Sequence, residues 1–161
     1  MSLSLDGSTG IITGLDIPKS QLPAGNILQV VNANTSTGVN NTTATYIDSG
    51  LTATITPTSA TSKILVLVNQ TGLFKVTTNT WLLLKLFRNT TDLSTFGAVI
   101  GYTNSTTENT VGACSCCYLD SPATTSATTY STKLANQTGT GQVGVQRNSS
   151  MSTITLMEVS A

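Results

Sequence analysis

Leu51-Thr52-Ala53-Thr54-Ile55-Thr56 alternates apolar and polar residues without a break, and Pro57 ends the run. A period of two puts Leu51, Ala53 and Ile55 on one face and three threonines on the other, the pattern of a half-buried strand. Threonine is β-branched, so it favours the extended backbone, and its hydroxyl makes a solvated face polar without charge. A few residues on, Ser62-Lys63-Ile64-Leu65-Val66-Leu67-Val68 is apolar on both faces. That predicts a central strand covered on both sides, one of them by another subunit.

The same reading extends outward along the chain. Trp81 to Arg88 puts Leu82, Leu84 and Leu86 on one face and Trp81, Leu83, Lys85 and Phe87 on the other. A helix competes for this segment, but the flanks Thr77-Thr78-Asn79-Thr80 and Asn89-Thr90-Thr91 favour a strand between turns. Trp81 and Phe87 are read as core. Further strands are expected at Ile27–Asn32, Thr43–Asp48, Thr95–Tyr102, Val111–Leu119, Ala127–Leu134, Gln142–Arg147 and Ser152–Val159. Gly, Asn, Asp, Pro and Ser separate them at intervals of about eight to twelve residues, which is the sandwich or barrel signature. The fold class is therefore all-β, one antiparallel domain over residues 26–161.

Residues 1–25 read differently. Gly10, Gly14, Pro18, Pro23 and Gly25 break any regular element, while Leu15, Ile17 and Leu22 are spaced apolar residues. The expectation is an extended N-terminal arm that docks these side chains on a neighbour; a disordered leader is the alternative.

Composition narrows the function. The chain has 161 residues, seven basic against seven acidic, with 9% charged, 5% aromatic and 39% hydrophobic residues. About a third is Ser or Thr. There is no histidine, which removes Ser-His-Asp and Cys-His nucleophile pairs, His-ligated metals and the imidazole switch. Zero net charge with scattered basic residues does not neutralise a phosphate backbone, so nucleic acid is not an expected partner. Soluble domains usually carry about 25% charged residues. A neutral Thr/Asn surface on a folding chain fits a protein that works in an assembly. The N-terminus lacks a basic region followed by an apolar one, so no secretory signal is read there. The apolar runs fall far short of the roughly 20 residues a membrane helix needs, and no membrane partner is expected.

Cys114-Ser115-Cys116-Cys117 is the most pointed local feature. In a strand, Cys114 and Cys116 share a face and Cys117 takes the other. Three thiols without a fourth ligand make a poor zinc site, and a bridge between Cys114 and Cys116 is geometrically awkward. Small side chains in packed sheets are the expected reading, with an inter-subunit bridge as the alternative. The carboxylates Asp6, Asp48 and Asp120 sit beside turn residues, and no catalytic, cofactor or metal residue is assigned. Glu158 follows Ile154 and Leu156 on one face of the last strand. It is either a structural pairing with Arg147, Lys63 or Arg88 across a subunit boundary, or a solvated strand end.

The order of segments resembles a family of bacteriophage fibre β-domains. Leu22-Pro23-Ala24-Gly25-Asn26-Ile27-Leu28-Gln29-Val30-Val31 is similar to the lead-in of that domain, and Ile55 to Val66 to its "I-x-P-x-S-x-x-S-K-I-L-V" segment. Leu86-Phe87-Arg88-Asn89, Leu119 to Thr125, and the close Ser152-Thr153-Ile154-Thr155-Leu156-Met157-Glu158-Val159 follow in the family's order. The resemblance covers residues 22–161. It implies a virion surface protein folded as a jelly-roll-like, tumour-necrosis-factor-like sandwich and assembled as a homotrimer. Beginning at Met1 with a short arm, the chain looks more like a capsid decoration, cement or head-fibre component than a long tail fibre. Expected partners are the major capsid protein or fibre and tail components. The assembly residues expected are Leu15, Ile17 and Leu22 in the arm, with Ile64, Val66 and Glu158 in the domain. A tail-fibre tip that recognises host surface glycans is the competing function, and a bacterial surface or spore-coat module of the same fold a third.

Overall fold

The computed structural model describes residues 23–161 and, before them, the backbone of two short strands. These are β1 (Ser4–Leu5) and β2 (Ile12–Thr13), which pair antiparallel. The arm residues Leu15, Ile17 and Leu22 lie outside the described residues.

Ten strands follow: β3 (Ile27–Thr35), β4 (Val39–Asn41), β5 (Ile47–Ile55), β6 (Lys63–Lys75) and β7 (Leu82–Arg88), then β8 (Thr91–Ile100), β9 (Asn109–Asp120), β10 (Thr128–Asn136), β11 (Val143–Val145) and β12 (Ser152–Val159). They form two antiparallel sheets. One has the order β5-β10-β7-β8. In the other, β3 pairs β12, β12 pairs β6, and β9 pairs β6 on its far edge. β11 and β4 continue beside β6 beyond β12.

The sheets face one another. Leu51, Ala53 and Ile55 of β5 pack with Leu86 and Tyr130 of their own sheet against Ile64, Val66, Ile154 and Leu156 of the other. A second cluster joins Leu82, Leu84 and Leu134 to Leu73, Val143 and Val145. Between the clusters runs a polar chain: Ser49 Oγ meets Thr132 Oγ1 at 2.5 Å, Thr132 donates to Gln70 Oε1, and Gln70 Nε2 donates to Ser152 Oγ. All four are buried, so the satisfied hydrogen bonds are what make the polar layer tolerable inside the sandwich.

The all-β expectation and the antiparallel sandwich both hold. Of the expected 81–88 segment, Leu82–Arg88 is a strand: Leu82, Leu84 and Leu86 are fully buried, and the outward residues are half-buried. Trp81 and Phe87 are therefore not core. Trp81 stacks edge-on against Tyr102, and Phe87 lies under the Lys133 ammonium. The expected strands at 43–48 and 51–56 are one, β5, because Gly50 in the left-handed region (φ 80°) carries the backbone through a bulge instead of ending it.

Ile64 and Val66, expected to seal against another subunit, instead point into the chain's own core and have no exposed surface. Their strand does have two apolar faces. The residues on the other face are Leu65 and Leu67, both half-buried.

Candidate functional site

The two outer faces of the sandwich differ in chemistry. On the β3-β12-β6-β9 sheet, register sets outward side chains in rows across four strands. Val30, Met157, Leu65 and Leu119 form one row. Asn32, Thr155, Leu67 and Cys117 form the next, and Ile27, Val159 and Lys63 lie on the other side. Ile27, Val30 and Leu119 are 57%, 55% and 52% exposed. Lys63 is the one charged residue in these rows.

This apolar strip runs into the outer edge of β9, which is unpaired among the described residues. That strand pairs β6 from Asn109 to Asp120 with no register shift, and between its ends it has neither charge nor proline. Free edges usually carry lysine, proline or a bulge, because unpaired N–H and C=O groups template unwanted pairing. The pairings that hold β3, β5 and β8 in place all contain register shifts. The edge of β9 lacks these devices.

The opposite sheet is polar and charged outside. Lys133 and Lys85 are register partners, so two ammonium groups stand directly cross-strand, an arrangement that costs energy unless compensated. Each is compensated twice. Lys133 pairs with Asp48 at 3.3 Å and sits 4.9 Å from the Phe87 ring centroid; Lys85 pairs with Asp92 and sits 4.9 Å from that of Tyr46. The hydrogen bond to Asp92 raises the Lys85 pKa. A groove of about 320 Å³ opens beside this row, with Asp48, Thr52, Asn89, Ser131 and Lys133 among its walls.

Glu158 reaches no cation among the described residues. It is fully buried and accepts from Gln29 Nε2 at 2.6 Å and from the backbone N–H and hydroxyl of Thr58, each at 2.7 Å. Of the expected partners, Arg88 pairs with Asp120 and Arg147 with Glu108, while Lys63 is exposed on the outward face. Burial pushes the Glu158 pKa up, but hydrogen bonds from Gln29, Thr58 and Ser62 outweigh it and hold the carboxyl below its usual value. Its role within the chain is to tie β12 to β3 and to the 56–62 loop. A depressed folded-state pKa stabilises above the unfolded value, and that stabilisation is lost as pH falls through the lower one. Glu158→Gln should cost about 2 kcal/mol at neutral pH. The difference should shrink as pH falls below about 4, the ordinary glutamate range, when melting of wild type and variant is compared. A constant difference across pH 3–7 would contradict this role.

Cys114 and Cys116 lie half-buried on the inner side of β9, Cys117 is exposed on the outer side, and all three are free thiols, as the alternation predicts. Burial raises the pKa of Cys114 and Cys116. They pack against the two core clusters. Among the described residues no three His, Cys, Asp or Glu side chains gather into a metal-binding group.

Nothing in sequence alone pointed to the Lys85–Lys133 row or to its groove, since the residues come from four separate segments. A scan of protein-family models finds none that matches the chain, and a search of curated proteins finds no match.

Proposed function

We propose that the chain is a structural protein of a bacteriophage virion, a homotrimeric capsid decoration, cement or head-fibre component that works by burial rather than catalysis. One observation carries the reading: the exposed apolar strip continuous with the unprotected β9 edge. Patches of this kind on a soluble domain mark association surfaces. The occupant that fits is a second copy, because a nearly uncharged strip needs a nearly uncharged partner and the chain itself has only 9% charge.

The strand order supports the jelly-roll reading. Numbered along the chain, the eight long strands run 1-8-3-6 in one sheet and 2-7-4-5 in the other. Two interlocked Greek keys of this kind recur in viral capsid and lectin domains. The virion setting rests on the resemblance to phage fibre β-domains together with this architecture.

Light scattering coupled to size-exclusion chromatography should give three times the 16.7 kDa chain mass. Val30→Glu combined with Leu119→Glu should yield folded monomers, since both sites are more than half exposed in one chain. A monomeric wild type, or a double variant that stays trimeric, overturns the assembly reading. The second function, recognition of host surface glycans, is favoured by the polar groove on the opposite sheet.

A further inference from the structure

The groove on the β5-β10-β7-β8 sheet is built by the backbone. Ser131 of β10 lies opposite Thr52, but Lys133, two residues on, lies opposite Asp48. β5 therefore carries extra residues around Gly50, whose φ of 80° suits glycine best. The bulge is pinned from beneath, where Ser49 Oγ meets Thr132 and accepts the Leu51 N–H at 3.1 Å. Bulges of this kind re-aim side chains beside binding sites.

What the groove offers is a balanced set of donors and acceptors. Asp48 is an acceptor with a largely exposed side chain, 3.3 Å from the Lys133 ammonium. Asn89 Oδ1 is taken by the Thr129 N–H at 3.0 Å, which leaves the amide NH₂ as a donor on the wall. The Ser131 hydroxyl makes no hydrogen bond to the described residues and can act either way. Paired Asp48 and Lys133 give the groove no net charge, so a phosphate or carboxylate gains little there. A sugar hydroxyl donates and accepts at once. Two adjacent hydroxyls therefore match a carboxylate set beside an ammonium and an amide. The volume of about 320 Å³ lies at the lower end of the range for ligand sites.

We propose that this groove binds a neutral pyranoside through a vicinal diol, Asp48 accepting from its hydroxyls while Lys133 and Asn89 donate to them. This rests on the glycan-recognition reading and is independent of the assembly one. The groove lies on the sheet face away from the apolar strip, so assembly through that strip leaves it open to solvent. A few hydrogen bonds in an open groove predict a single-site affinity of about millimolar, which several copies held together would multiply.

The test is saturation-transfer NMR and titration of the full chain with methyl α-mannopyranoside, methyl α-glucopyranoside and methyl β-galactopyranoside. At least one should bind, and Asp48→Asn and Lys133→Met should each weaken it about tenfold. Asp48 is largely exposed and Lys133 lies at the sheet surface, and a cooperative melt of each variant verifies folding. If no pyranoside binds the folded wild type, both the groove and the glycan reading fall. If one binds with equal affinity to wild type and both variants, the groove assignment alone falls.

Discussion

Asp120→Ala should lower the melting temperature by about 10 °C, corresponding to a loss of about 3–4 kcal/mol for a domain of this size. Asp120 ends β9 in one sheet and is 5% exposed. Both its oxygens accept from Arg88 Nη1 of β7, at 2.9 and 2.8 Å, and Oδ2 also accepts from Tyr130 Oη of β10 at 2.6 Å. One carboxylate thus fastens a strand end of one sheet to two strands of the other. Tyr130 is fully buried; burial first, and then the bond to Asp120, drive its pKa far above the usual phenol value. At neutral pH it is a neutral donor. Removing the carboxylate strands both the buried hydroxyl and the guanidinium, and this unpaired remainder carries most of the cost. Arg88→Met and Tyr130→Phe together in the Asp120→Leu background should recover much of the loss, because the apolar trio leaves nothing unsatisfied. Denaturant and thermal melts are the measurement. An Asp120→Ala protein within 0.5 kcal/mol of wild type would refute the clamp.

Gly72→Ala should be of similar or greater size, about 4 kcal/mol, combining left-handed strain with overpacking. Gly72 has φ 59°, and a Cβ there would stand 2.4 Å from the Arg147 nitrogen and 2.9 Å from the Gln146 carbonyl carbon. Both are backbone atoms, so no rotamer change relieves the contact. The turn that presses on Gly72 is itself strained: Gln146, Asn148 and Ser149 all have positive φ around the short 3-10 segment Arg147–Ser149. It carries the chain from β11 to β12 along one edge of β6, and the Gln146 N–H donates to Thr71 O at 2.9 Å. Displacing it also loosens Ser152, the hub of the buried polar layer. A Gly101→Ala variant separates the two causes. Its φ of 75° is comparable, but its nearest atoms lie at 3.4 and 3.5 Å and are side-chain carbons. It should lose about 1 kcal/mol from backbone strain alone. Equal losses in the two variants would show that crowding at Gly72 is unimportant.

Much of the architecture is legible in the sequence because strand faces are set locally. Alternation at Leu51–Thr56, Leu82–Arg88 and Ser152–Val159 assigns each side chain to a face from its neighbours alone, and the buried residues of β5, β7 and β12 agree. Where a strand is apolar on both faces, as at Ile64–Val68, alternation still separates two sets of residues. It does not say which set meets the chain's own second sheet. That is why Ile64 and Val66 were expected at a subunit boundary and are core, while Leu65 and Leu67 face outward. The Glu158 partners failed for a related reason. A buried carboxylate needs donors, and charge counting names only cations, whereas the fold supplies an amide, a backbone N–H and hydroxyls.

The residue order is enough for the all-β class, the approximate strand positions, the absence of imidazole chemistry and a surface made polar by threonine rather than charge. These follow from composition and from a two-residue period, and neither depends on distant contacts. The strand order, the outward row of Val30, Met157, Leu65 and Leu119, the Arg88–Asp120–Tyr130 clamp and the groove at the Gly50 bulge emerge only on folding. Each joins residues far apart in the chain. Register, which no single strand's pattern specifies, is what brings them together.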